Sequence, residues 1–175
     1  MTVTAEEAVR PDPQAPPPVW SARHVTEADH AAALDFFTEP DFRFRTVRSD
    51  VLAEWEVLSL LDDARLLLAD GVPVGLYAVE NSGADHACHL MLQLRLTARL
   101  PLAVWGSAYH EVIRGLRRHR ELVRLAVLVG DDDERGLAAA RLAGLTEEGV
   151  LPGMTVGDGR RRGQVFFSRI WEPVS

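Results

Sequence analysis

The sequence predicts a mixed α/β fold: a mostly antiparallel, twisted sheet of about seven strands with helices on both faces. Three observations predict it. The residue periodicities run in the order β, α, α, β, β, β, α, β, α, β, β. The stretch Leu92 to Leu116 passes from alternating apolar residues through a loop into an amphipathic helix. Leu122 to Val129 is a nearly continuous apolar run, the pattern of a strand buried on both faces.

In order, residues 1 to 18 end in PDPQAPPPV and have little to bury, so they read as a disordered, proline-rich leader, with one folded domain over 19 to 175. A short strand spans Trp20 to Val25, and Thr26 with Asp29 forms a capping pair for a helix over Glu27 to Phe37, which Pro40 stops. Ser49 or Asp50 caps a second helix, with Leu52, Trp55, Leu58 and Leu61 assigned to its core face. Ala64 to Ala69, the turn Asp70-Gly71 and Val72 to Glu80 read as a hairpin. His86 to Leu96 alternates, with Leu90, Leu92, Leu94 and Leu96 on one face and His89, Met91, Gln93 and Arg95 on the other. The third helix, about Val104 to His119, turns Trp105, Ala108, Tyr109, Val112 and Ile113 inward. Asp133 caps a helix over Glu134 to Ala143 that ends at Gly144. Leu145 to Val150 and Gln164 to Trp171 are the last two strands. Val165 to Trp171 would suit the edge of a homodimer.

The 175 residues are 47% apolar and 26% charged, with a net charge of −7, which suits a globular domain and argues against sequence-independent nucleic-acid binding. No run approaches the roughly 18 apolar residues of a membrane span. All nineteen basic residues are Arg, so Schiff-base and lysine-dependent phosphate-loop chemistry are excluded. A lone Cys88 forms no internal disulfide, and the first residues lack the apolar core of a secretory signal, so the expected address is the cytoplasm.

The strand-to-helix junction is where chemistry is expected. The first N–H groups of a helix lack intrahelical acceptors, and with the helix dipole they make an anion site from main chain. His86 and His89, with Cys88 between them, do not make a metal site, because residues three apart on a strand face opposite ways, so no metal is expected.

The segments ERGLAAARLAGLTEEGVLPG, Glu134 to Gly153, and DGRRRGQVFFSRIW near the end resemble the GNAT superfamily of N-acyltransferases, in the subgroup similar to the ribosomal-protein-alanine acetyltransferases. The resemblance covers Val19 to Trp171 and implies a GNAT-like fold. It further implies transfer of an acetyl or other acyl group from acetyl-CoA or another acyl-CoA to a primary amine, on a small molecule or a peptide. The family's pyrophosphate loop has the form Q/R-x-x-G-x-G/A. Ungapped alignment sets Pro101 at its first position, Val104 at the first glycine and Gly106 at the second. Proline deletes a donor and valine resists φ > 0, so the cradle is expected to be weak. The family's tyrosine acid, seven residues beyond an Asn, falls at Ala140, with Asp133 in the place of the Asn.

The resemblance implies main-chain contacts to the thioester arm from Leu94 and Leu96 and a residual phosphate site at Gly106 and Ser107, with Arg99 supplying charge. The general base is expected among polar residues near the central strands: His89 first, with Gln93 and Glu80 beside it. A hydrogen-bonded structural histidine is the other reading of His89. The weakened loop and absent tyrosine motivate a rival: a GNAT-fold protein that takes its acyl group from a carrier protein, or that only binds a partner.

Overall fold

A computed structural model describes residues 17–46, 52–82, 88–157 and 159–172. Its seven strands are β1 (Trp20–His24), β2 (Arg65–Ala69), β3 (Val72–Asn81), β4 (His89–Leu96), β5 (Arg124–Gly130), β6 (Thr146–Gly157) and β7 (Arg160–Ile170). Its four α-helices are α1 (His30–Phe36), α2 (Glu54–Leu60), α3 (Leu102–His119) and α4 (Glu134–Leu142). They form one sheet in the order β1-β2-β3-β4-β5-β7-β6. Every neighbouring pair is antiparallel except β4 and β5.

The alternation of β4 places a core on each side of this sheet. Leu90, Leu92, Leu94 and Leu96 pack with Trp105, Tyr109 and Val112 of α3 and with Ala139 and Ala140 of α4. On the other side, Leu66, Leu76 and Ala78 pack with Phe36, Phe42, Phe44 and Val57 of the α1–α2 region. The β2–β3 turn is set by Asp70 and Gly71, with φ of 51° and 78°, the successive positive values of a type I′ hairpin. Gly75 is glycine for a different reason, because a Cβ there would overlap Arg95 O and Leu96 of the adjacent strand. Gly75→Ala is expected to cost ~3 kcal/mol or more, since backbone on the central pair cannot yield cheaply. Urea denaturation measures it, and a loss below ~1 kcal/mol would show that the strands part readily.

Asp29 closes the entry to the first helical segment: it accepts from Thr26 N–H at 3.0 Å and Thr26 Oγ1–H at 2.8 Å, and Arg23 holds both its oxygens. The Arg23 hydrogen bonds, aided by those of Thr26 and outweighing burial, hold this carboxyl far below the usual carboxylate range. A depressed folded pKa contributes stability that is present above the unfolded value near 3.9 and lost as pH falls below it. Asp29→Asn is therefore expected to melt below the parent near neutral pH. The two curves should begin to converge below about pH 4 and close progressively toward the depressed folded value, and a gap that stays constant would show that charge is not the cause.

Three expectations are corrected. Trp55 is 71% exposed, whereas Val57 and Leu61 are buried. Leu52 and Leu58 pack against the same core that buries Leu61, so of the four proposed residues Trp55 is the one that falls off the core face. The Val165 to Trp171 segment is not an edge: β7 lies between β5 and β6. The edge is β6, longer than expected and broken by two register shifts against β7, with Val150, Met154 and Val156 exposed along it. The proposed caps Ser49 and Asp50, the turn at Gly83 and the start of β4 at His86 lie outside the described residues, as do residues 1 to 16. No described helix is long and apolar enough to cross a membrane.

Candidate functional site

The site arises from an interruption of the sheet. β4 and β5 pair only at His89↔Arg124, Leu90↔Leu125 and Met91↔Ala126, after which β4 runs on to Leu96 and β5 to Gly130 without pairing. Thr97 N–H donates to Val74 O of β3 at 2.9 Å. The strand's two-residue alternation then turns the N–H groups of Arg95, Gln93 and Met91 toward β3 and those of Leu94 and Leu96, beyond the last pair with β5, into the gap. The leucine side chains are held in the α3-side core, so the gap meets main chain there.

A cavity of about 520 Å³ opens where the strands part. Leu92 to Arg95 and Val127 to Gly130 form its floor, the Arg43–Thr46 segment and Glu80 its outer wall, and Tyr109, Asp132 and Asp133 its inner end. Gln93 and Glu80 both line it, opposite Ala78 and Met91 respectively in the β3–β4 register. The Glu80 side chain is 52% exposed, and its one ion pair among the described residues is a long one, 3.7 Å from Arg45 Nη2.

His89, the first candidate base, lies apart from the cavity. It sits at the closed end of β4, paired in register with Arg124, and does not border the cavity. Four residues of strand separate it from Gln93, about 13 Å. Gly106 and Ser107 are also turned to other work. A Cβ on Gly106 would come within 3.3 Å of Leu142 Cβ, so this glycine lets α3 and α4 approach. Ser107 Oγ accepts from Trp20 Nε1 at 3.1 Å. Arg99 is mostly exposed, with Nε 3.5 Å from Glu39. Glu39 takes the polar groups at the start of that loop, accepting from Ala98 N–H at 2.8 Å and from the Thr97 hydroxyl.

At the entrance to α3, Pro101 is the N-cap, with φ −59° and ψ 148° and no side-chain cap bond. Val104 and Trp105 N–H both turn back to Pro101 O. Leu102 and Ala103 N–H therefore have no acceptor among the described residues, and they are what remains of the cradle. Val104 is in the helix, so its position needs no glycine conformation.

A cluster that sequence reasoning missed closes the far end of the gap. Arg95 is almost wholly buried; its Nη1 donates to Asp133 Oδ2 at 2.5 Å and its Nη2 to Asp41 O. Its guanidinium lies 4.9 Å from the Trp105 ring centroid, and that of Arg135 lies 5.2 Å from the same ring while donating to Leu100 O. Asp133 also accepts from Gly136 N–H at 3.0 Å and so caps α4 as expected. One carboxylate thus joins the ends of β4 and β5 and starts a helix. Arg95 and its partners stand 10, 38 and 54 positions apart in the chain, so no local motif reveals them.

Ala140 is fully buried in the core, so no hydroxyl stands at the position of the family's tyrosine. The phenol that borders the cavity comes from α3 instead. Burial pushes the Tyr109 hydroxyl well above its ordinary value; Arg95 opposes the shift and Asp133 adds to it. Among the described residues, no three or more His, Cys, Asp or Glu side chains are grouped to hold a metal.

No protein-family model matches this chain, and no curated protein matches it. Solved structures do. The acetyltransferase of the GNAT family from Bacillus anthracis superposes with a TM-score of 0.72 at 9% identity, over 86% of this chain and 94% of its own. The ribosomal-protein-alanine N-acetyltransferase from Brucella melitensis gives 0.67 at 17%, over 86% and 99%. A ribosomal L7/L12 alpha-N-protein acetyltransferase in complex with coenzyme A gives 0.71 at 13%, over 86% and 93%. Seven strands, a single parallel pair that splays ahead of a helix, and these superpositions agree: the chain has the fold of the GNAT N-acetyltransferases.

Proposed function

We propose that this protein is an N-acetyltransferase that moves an acetyl group from acetyl-CoA to a primary amine. The observation that carries the reading is the β4–β5 gap, with unpaired main-chain N–H groups on one wall and the Glu80 carboxylate on the other. The fold neighbour crystallised with coenzyme A, and the one described as acting on ribosomal-protein alanine, support this donor and an amine acceptor.

Acetyl-CoA supplies an activated acyl thioester. This chain's contribution is placement, which for well-oriented reactants is worth several kcal/mol of barrier. Leu94 and Leu96 N–H point where a carbonyl oxygen gains charge and stabilise it without reorganisation. Glu80 accepts the proton of the incoming ammonium, and Gln93 orients the amine beside it. Tyr109 borders the same cavity, and its hydroxyl, kept protonated by burial, can donate a hydrogen bond to a leaving thiolate.

The residues at α3 fit one phosphate better than a full pyrophosphate cradle, since two N–H donors are open and the preceding ones of Ala98, Arg99 and Leu100 are taken by Glu39, the Thr97 hydroxyl and the Thr97 carbonyl. That favours a second reading of the donor, an acyl group on a carrier protein's phosphopantetheine arm, over the same Glu80 chemistry. Calorimetric titration with acetyl-CoA, together with mass detection of acetylated amines, tests the first reading. Saturable binding and transfer support it. No binding at millimolar ligand, with transfer from an acyl carrier protein, replaces it with the second.

Leu102→Pro refines the test. Proline is tolerated at the first helical position, so it deletes one N–H while leaving α3 intact. Loss of a donor to a charged oxygen is worth ~1.5–3 kcal/mol, so affinity for acetyl-CoA should fall roughly tenfold or more. Unchanged affinity would move the phosphate away from this helix end.

A further inference from the structure

The far end of α3 carries a feature that the transfer reaction does not use. Arg114 and Arg117, with Arg118 beside them, meet Arg169 and Trp171 from the end of β7 around a depression of about 430 Å³. Arg114 is paired with Glu111. Arg117, Arg118 and Arg169 have no carboxylate partner among the described residues. Arg117 and Arg169 instead lie over the same indole, 5.1 and 5.2 Å from the Trp171 ring centroid, and the Trp171 Nε1–H is buried without an acceptor.

A helix C-terminus favours cations, which accounts for Arg117 and Arg118 on α3. It does not account for Arg169, which a different element brings to the same ring. Two guanidiniums fixed on one indole, with a third beside them, repel one another unless an anion neutralises them. The indole restrains both planes, so less freedom is lost when each fork takes its pair of oxygens. One carboxylate satisfies one fork. Three open forks around one shallow depression match a compact group with many oxygens, and phosphate is the group that guanidinium forks bind in two-pronged fashion. A long nucleic acid fits less well, because the patch is local and the whole chain carries a net charge of −7.

We propose that this depression is a second anion site, one that binds an oligophosphate: a chain of two or more linked phosphates, free or at the end of a nucleotide. It shares no lining residue with the cleft, so the proposal stands or falls apart from the transferase reading.

The test is calorimetry on the full chain at constant ionic strength with sodium tripolyphosphate, ATP, AMP and an oligothymidylate. Tripolyphosphate and ATP should bind saturably, AMP roughly tenfold more weakly or less, and Arg117→Gln/Arg169→Gln should weaken binding roughly tenfold or more. Arg160→Gln/Arg161→Gln, on the distant β6–β7 hairpin, should leave it intact. Equal affinity for tripolyphosphate and ATP marks the free chain as the ligand read, and tighter ATP marks a nucleotide; both support the site. Arg118→Gln, which removes no ring contact, should weaken binding severalfold and keeps the test valid if the double variant misfolds. The proposal is overturned if nothing saturates, if the hairpin variant loses as much as the site variant, or if oligothymidylate binds while tripolyphosphate does not.

Discussion

Arg95→Ala is expected to destabilise the fold by about 3–5 kcal/mol, the cost of removing one partner from a buried ion pair. Arg95 holds Asp133 at 2.5 Å and the Asp41 carbonyl, and its guanidinium packs on Trp105. Alanine leaves Asp133 charged in a site where its side chain is only 11% exposed, and it opens a void against an indole that is itself buried. With a urea slope of ~2 kcal/mol/M, the midpoint should fall by roughly 1.5–2.5 M. Asp133→Asn separates pairing from capping, because asparagine still accepts from Gly136 N–H but no longer balances Arg95. It should cost nearly as much as the arginine variant, and Arg95→Met/Asp133→Asn should recover a large part of the loss, since removing both charges leaves neither uncompensated. Additive losses in the double variant would mean that the two side chains stabilise the protein separately.

Glu80→Gln is expected to lower kcat for acetyl transfer by roughly 10²–10⁴, the range for a positioned general base, with little change in acetyl-CoA affinity. The substitution keeps the shape of a side chain that borders the cavity and, among the described residues, has only a long ion pair to Arg45, so the loss should be chemical and not structural. His89→Ala should change kcat less than about threefold, because that residue sits at the closed end of β4. If instead His89→Ala abolishes turnover and Glu80→Gln does not, the acceptor amine enters from the opposite end of the strand pair. Single-turnover measurement distinguishes slow chemistry from slow release in either case.

Those two residues also show how far letters reach. His89 ranked first by its chemistry, with Gln93 and Glu80 beside it, and all three lay close to the central strands. Choosing between them required knowing where β4 leaves β5, and that point is set by packing between elements remote in sequence. The cradle is similar. The alignment suggested that Gly106 held a phosphate, but a glycine's lack of a side chain serves a close helix contact equally well, and Leu142 is the residue that needs the space. The periodicity of α2 misplaced Trp55 and not Leu52, Leu58 or Leu61, because a spacing of three drifts off a helical stripe by about 60° per step.

The sequence by itself determined the elements, their order, the two-sided core and the family fold. Alternation at period two, amphipathic stripes, the Asp70-Gly71 turn and the Asp133 cap are local, and local sterics and hydrogen bonding decide them. Only the tertiary structure decided which groups face the cavity, that Arg95 joins β4 to α4 through Asp133, and that Arg117 and Arg169 share one indole. Such contacts join residues tens of positions apart. Their energy depends on distance and burial in space, which spacing along the chain does not encode.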